Sequence, residues 1–252
     1  TPNPCSVSET KQVCFSPGNL QYRASTDTWR FAENQWDFVG DSTYGTVFEN
    51  GTKCNNEYIS DTYDGWIDLF GWGTGNAPTR ATTGDSDYSK FVDWGTNAIS
   101  NSGNTANTWR TLTKDEWGYL FFERTNAATL FGLGSVKGVN GMILLPDNWT
   151  LPAGASFTAS ITQGLVDNYS HNIYTKEQWK AMEAAGAVFL PAAGYRFGTG
   201  LKDVCSWGYY WSATPDGANN AYFLSFGTYK LLPQESFFRR AGFSVRLAKD
   251  AN

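Results

Sequence analysis

The 252-residue sequence predicts an α+β domain with little helix. Three observations carry that reading. Runs with a two-residue apolar alternation fill both ends of the chain. Two short helix starts share one capping signature, and a hairpin signal stands between them. The order strands, helix, hairpin, helix, strands differs from the strict alternation of α/β folds. No linker-like run divides the chain, so residues 1–252 read as one domain.

The first strands lie in VCFSPGNLQYRA and TWRFAENQWDFVG, which alternate around turn signals at Pro17-Gly18 and Asp27. From Asp41 to Thr108 Gly, Asn, Asp, Ser and Thr dominate, the mark of loops. Within that span GWIDLFGWGTG, Gly65 to Gly75, is an apolar island. A structureless loop of such length is unusual inside one domain, so the Trp and Phe residues of the island are expected to fold it down.

LTKDEW, Leu112 to Trp117, and YTKEQW, Tyr174 to Trp179, start the helices. Thr113 and Thr175 stand at the caps, where a hydroxyl accepts from the open N–H groups of the first turn. Glu116 and Gln178, three residues on, complete capping boxes. The helices therefore begin at Lys114 and Lys176. Leu112 with Trp117, and Tyr174 with Trp179, occupy staple positions. Trp117, Leu120, Phe121 and Arg124 share a face of the first helix. Trp179, Met182 and Glu183 share a face of the second, and Gly186 ends it. The likeness between the two stops after the first turn.

Between the helices GSVKGVNGMILLP reads as a hairpin, with Asn140-Gly141 the strongest two-residue turn signal. After the second helix AVFLPAAGYR, YYWSAT, AYFLSF and GFSVRLA read as four strands.

Composition bounds the function. Aromatic residues make up 16% and charged residues 17%, the latter below the roughly 25% of ordinary globular chains. The net charge of −5, with no Lys/Arg run, argues against nucleic acid, whose phosphates need a basic stripe. No apolar run approaches the roughly 20 residues that span a bilayer. The start, TPNPCSVSE, carries no signal peptide and reads as trimmed from an export signal or an earlier domain. Abundant Trp, Tyr, Asn, Gly and Thr fit an extracellular protein. Cys5, Cys14, Cys54 and Cys205 lack metal-ligand spacing. They allow three complete pairings, and buried thiols and a disulfide stay equally open.

The set WRTLTKDEW, VNGMILLPDNW, AVFLPAAGYR, YYWSAT and GFSVRLA resembles the bacterial C-type-lectin-like proteins related to formylglycine-generating enzymes. More narrowly, it resembles the major paralogous domain proteins of gut-type bacteria. FSPGNLQY and GWIDLFGWGTG resemble their N-terminal part. The resemblance covers nearly the whole chain, and the order of the motifs is more specific than any one of them. It implies a C-type-lectin-like fold: two helices, a central twisted antiparallel sheet, long loops and chain ends that pair nearby. Some members are variable proteins of diversity-generating retroelements, in which codons near the C-terminus are rewritten and the scaffold tolerates the change. The function implied is a non-catalytic, adhesin- or receptor-like module. It would be displayed on a cell surface (lipoprotein-anchored before trimming), outside the cell or on a phage, with a protein or carbohydrate ligand on a cell surface. An oxidase-like or other enzyme on the same fold, or a structural surface protein, are the alternatives.

The enzyme alternative lacks a constellation in the sequence. Relatives that generate formylglycine use cysteines in a cleft, and Cys205 in KDVCSWG has no second cysteine near it in sequence. Cys14 or Cys54 would have to approach through the fold. His171 is the one histidine, and no G-x-S-x-G elbow supports a triad through it. Paired carboxylates for glycosidase chemistry stay open, although the acidic residues sit mostly in loops and helix starts. No cofactor is expected. A structural calcium is conceivable among Asp41, Glu49, Asn55, Asn56, Glu57, Asp61 and Asp64, because hard cations take such oxygens. A solvated loop explains the same residues.

The C-terminal segment carries the binding expectation. Alternation puts Phe243, Val245 and Leu247 on one face, with Ser244 and Arg246 on the other. Tyr222, Leu224 and Phe226 form a comparable core row, which points Phe223 and Ser225 outward. The stretches from Thr214 to Ala221 and from Gly227 to Ala241 read as surface loops. The ligand surface is therefore expected at Trp207, Tyr209, Asp216, Asn219, Asn220, Phe223, Ser225, Tyr229, Leu231, Gln234, Phe237 and Arg239. Rigid rings give contact area at low entropic cost, and Asn or Arg adds adaptable polar contact. The plain alternative is an aromatic-rich scaffold with incidental exposed rings.

Overall fold

Thr113 and Glu116 bond each other reciprocally: the Glu116 N–H donates to Thr113 Oγ1 at 3.2 Å, and the Thr113 N–H to Glu116 Oε2 at 2.8 Å. Helix α1 (Lys114–Phe122) starts there, as its capping box predicts. Helix α2 (Lys176–Ala184) starts on the matching pair Thr175 and Gln178. The staple of α2 closes with Tyr174 and Trp179 ring centroids 5.7 Å apart. Gly186, at φ +103°, ends the helix in a conformation that favours glycine.

A computed structural model describes residues 3–38, 48–49, 52–55, 65–78, 88–159, 168–198, 200–228 and 230–251, with the backbone alone for 48–49, 52–55 and 200. In chain order the first strands are β1 (Cys5–Ser6), β2 (Gln12–Phe15), β3 (Leu20–Arg23), β4 (Thr28–Phe31), β5 (Phe48–Glu49) and β6 (Thr52–Asn55). Between and after the helices come β7 (Phe131–Val136), β8 (Val139–Leu144), β9 (Ile173–Tyr174), β10 (Val188–Pro191), β11 (Tyr195–Phe197) and β12 (Gly200–Lys202). The last are β13 (Trp207–Asp216), β14 (Asn220–Gly227), β15 (Lys230–Phe238) and β16 (Ala248–Asp250).

The expected α+β class is corrected by this count. Strand makes up 38% and helix of every kind 15%, so the fold is β-rich. The strands form separate small sheets, ordered β1-β2-β16, β10-β8-β7-β9, β11-β12-β6-β5, β13-β14-β15 and β3-β4. The correction extends to the C-type-lectin-like fold, whose one central sheet is replaced by these smaller ones. Helices of nine residues span only about 13 Å and cannot form a layer of their own. The chain ends do pair: β16 lies antiparallel to β2, with Ala248 opposite Phe15.

The hairpin between the helices exists, but its turn falls three residues earlier than expected. Val136 pairs with Val139, and Lys137 and Gly138 make the turn at φ +52° and +81°, the two positive values a primed turn needs. Asn140 and Gly141 lie inside β8. Asn140 Nδ2 donates to the Cys205 carbonyl at 2.9 Å. Gly141 admits the ring of Phe189, whose Cζ would stand 2.4 Å from an added Cβ.

The core explains the largest departure. One apolar cluster holds Trp117, Leu120 and Phe121 of α1 with Tyr210, Leu224, Phe226 and Leu231. A second holds Trp29, Phe70, Trp72 and Trp94 with Trp211, Phe223, Phe243, Val245 and Leu247. The β13-β14-β15 sheet lies between them. Within β14 alternation separated Leu224 and Phe226 from Phe223 as expected, but side chains on both faces are buried. The apolar island behaves as expected: Phe70 bonds backbone to backbone with Phe243.

Candidate ligand-binding cleft

Pairing across the last sheet sets one face out in rows. Trp207 stands opposite Gly227, which stands opposite Lys230. Tyr209, Ser225 and Leu232 make the next row, and Trp211, Phe223 and Glu235 the one after. Cross-strand partners share a face, so in the first two rows the middle strand contributes a small residue, Gly227 or Ser225, between larger ones. That contrast opens a cleft of about 240 Å³, lined by Tyr195, Trp207, Tyr209, Phe223, Lys230 and Glu235 among others. Phe237 and Phe243 close it towards the second core cluster. Along β13 the rings climb out of the core: Trp211 is buried, and Tyr209 and Trp207 are half-buried.

The walls are mutually braced. Tyr195 stands edge-on to Tyr209 at 5.1 Å and 68°. Tyr209 lies against Phe243 at 5.3 Å and 26°, and Trp207 against Tyr209 at 6.3 Å and 24°. Tyr209 Oη donates to Asp203 Oδ2 at 2.8 Å. Burial, and then the Asp203 carboxylate, push the Tyr209 phenol far above its ordinary range, so it stays neutral. Burial and Asp203 raise Tyr195 in the same way. Ser225 Oγ donates to Glu235 Oε2 at 2.7 Å, which fixes that carboxylate on the wall. Lys230 is exposed at the rim.

Of the twelve expected surface residues, Trp207, Tyr209, Phe223 and Phe237 meet in this cleft. Four are buried rather than displayed. Phe223 is 3% exposed, because Phe243 covers it at 4.7 Å. Ser225 lies beneath Glu235, and Leu231 belongs to the first core cluster. Arg239 is 4% exposed: it stacks over Trp72 at 4.3 Å and donates to the carbonyls of Gly217, Asn220 and Tyr88. Tyr222, expected in the core row, is only half-buried and carries the Lys114 ammonium 5.3 Å from its ring. Ser244 and Arg246 are buried as well, opposite their buried neighbours.

Asp216, Asn219 and Asn220 sit at the far β13–β14 turn, away from the cleft. Gln234 is exposed but engaged, since its amide donates to the Lys114 carbonyl at 3.2 Å. It lies across Gly118 beside a second groove, lined by Phe122, Glu123 and Leu232, on the α1 side of β15. Tyr229 lies outside the described residues.

Reading 227–241 as a loop concealed Lys230, Leu232, Glu235 and Ser236. The stretch is strand β15, and the alternation of KLLPQESFF is broken by a bulge between its Leu232 and Glu235 pairings. Tyr195 gave no periodic signal of its own, and Phe243 read as core alone.

Among the described residues no group of three or more His, Cys, Asp and Glu is placed to hold a metal ion. The oxygens expected for calcium, from Asp41 to Asp64, lie outside the described side chains. Cys205 packs in a cluster with Phe38, Leu69, Leu201 and Val204, whereas Cys5 and Cys14 sit in the β1–β2 pair. Burial raises the Cys5 thiol to about 11. His171 lies in an exposed turn after Asn168. Among the described residues no helix is long and apolar enough to cross a membrane. No protein-family model, no curated protein and no solved structure matches the chain.

Proposed function

We propose that the protein is a non-catalytic binding module whose C-terminal segment carries the ligand cleft. The observation that supports this best is the convergence of Trp207, Tyr209, Phe237 and Tyr195, each half-buried, on one open concave site with a single fixed carboxylate. Half-exposed rings held rigidly by a core beneath them lose little entropy when a ligand covers them. The ligand is a protein or carbohydrate on a cell surface, and the module acts outside the cell or on a phage. The aromatic-rich composition supports that location. The resemblance of the motif order to the major paralogous domain proteins, some of which are variable proteins of retroelements, supports the same reading, and a reverse transcriptase gene beside a near-copy of the 3′ end would strengthen it. Formylglycine-type chemistry has less support, since Cys205 packs among apolar side chains away from the cleft.

The test is a panel of immobilised glycans and surface proteins probed with the protein and with Trp207→Ala. The module reading expects retained ligands to be released chemically unchanged and to be lost with the variant, which still unfolds cooperatively. Recovery of a covalently altered ligand would sink it.

A further inference from the structure

The cleft is built for one kind of guest. Tyr195 stands at 78° to Phe237 and 87° to Phe243, across a set of rings that are nearly parallel to one another: Tyr209 to Phe243 at 26° and Phe237 to Phe243 at 18°. A guest therefore meets aromatic surface from two perpendicular directions. Ring faces carry negative potential, which attracts cations. The Tyr209 hydroxyl donates to the Asp203 carboxylate, so electron density moves toward the ring and its face becomes more negative. Glu235 adds a formal charge on the opposite wall.

Two of the hydroxyls at the cleft are already engaged. Tyr209 Oη and Ser225 Oγ already donate to carboxylates. An alkylated ammonium brings charge to such rings and needs no hydrogen-bond partner. Lys230 lines the cleft too, but it is exposed in the outermost row, where its flexible stem lets the ammonium turn to water. The space of about 240 Å³ lies below the roughly 300–1,000 Å³ of pockets for whole drug-sized ligands. It suits a head group.

We propose that the cleft binds a quaternary ammonium group carried by the ligand, with the rings of Trp207, Tyr209 and Tyr195 around its methyls and Glu235 opposing its charge. This deepens the binding-module reading and rests on it.

The experiment titrates the whole chain with choline, with its uncharged isostere 3,3-dimethylbutan-1-ol and with a methyl glucoside, read by calorimetry. Choline should saturate with Kd at or below about 1 mM, and the isostere should bind roughly tenfold more weakly or worse. Glu235→Gln should weaken choline several-fold, and Lys230→Gln should tighten it. Both residues are exposed, so melting should not change. Phosphocholine and a trimethyllysine peptide identify the carrier, and preference for either supports the proposal. Equal affinity for the isostere, absence of saturable choline binding, or weaker choline binding by Lys230→Gln would overturn it. If the isostere or the glucoside then still bound and lost affinity with Trp207→Ala, the binding-module reading would survive alone.

Discussion

The indole of Trp207 lies across the Cα of Gly227 on the neighbouring strand: a Cβ built there would stand 2.6 Å from its Cδ2. Gly227 is needed for this close approach, since it is not among the positive-φ glycines. Gly227→Ala should push the indole off its seat and change the rim of the cleft. The expected cost is about 1–3 kcal/mol in urea melts, with a shift in tryptophan emission and weaker ligand binding. Unchanged emission and binding would show that the indole is not held there.

The two caps should differ in weight. Thr113→Ala and Thr175→Ala each remove one side of a capping box, for about 0.5–2 kcal/mol. Glu116 also holds Arg110 with two bonds of 2.8 Å, and Arg110 in turn reaches Asp250 at the chain end. Thr113→Ala should therefore cost more than Thr175→Ala, because it also loosens Glu116. Equal losses in chemical denaturation would contradict this coupling.

Arg239 should behave as a structural residue. Its guanidinium serves the carbonyls of Gly217, Asn220 and Tyr88 while stacked on Trp72. Arg239→Leu leaves those acceptors unserved and should cost about 1–3 kcal/mol or more. Asn219→Ala, at the exposed turn beside it, should stay within about 0.5 kcal/mol. Thermal melting of the pair decides; a silent Arg239→Leu would return this residue to the surface.

Asp147 gives the acid limb of the stability curve. Burial alone would raise its carboxyl, but bonds from the Ser6 hydroxyl and N–H and from Gln12, with the Arg124 charge, outweigh that and hold it below the ordinary aspartate range. A folded-state value below the unfolded one stabilises the fold above the ordinary value near ~3.9, and the gain fades as pH falls through the folded value. Asp147→Asn should cost about 1–3 kcal/mol at neutral pH. Its deficit should shrink only below about pH 4. A deficit that stays constant down to pH 2 would refute the assignment.

Features decided by neighbours in sequence were legible before the fold was known. Thr113 and Glu116, or Thr175 and Gln178, are three residues apart, so a cap is a local contact and its signature suffices. Strand alternation is equally local, and it separated Leu224 and Phe226 from Phe223 correctly. What alternation does not contain is which face meets water. Phe223 is buried by Phe243, and Arg239 by Trp72 and Tyr88, residues remote in the chain or brought in by a long loop. The hairpin turn lies at Lys137-Gly138, and Gly141 instead stands inside the strand where Phe189 comes close. The cleft arose the same way, from Ser225 and Gly227 falling between larger residues once three strands had chosen their register. The sequence alone determined the helix starts and the sidedness of β14 and of residues 243–247. Tertiary structure decided the β-rich class, the buried surfaces and the cleft, because burial and register are set by long-range packing energy that no local pattern encodes.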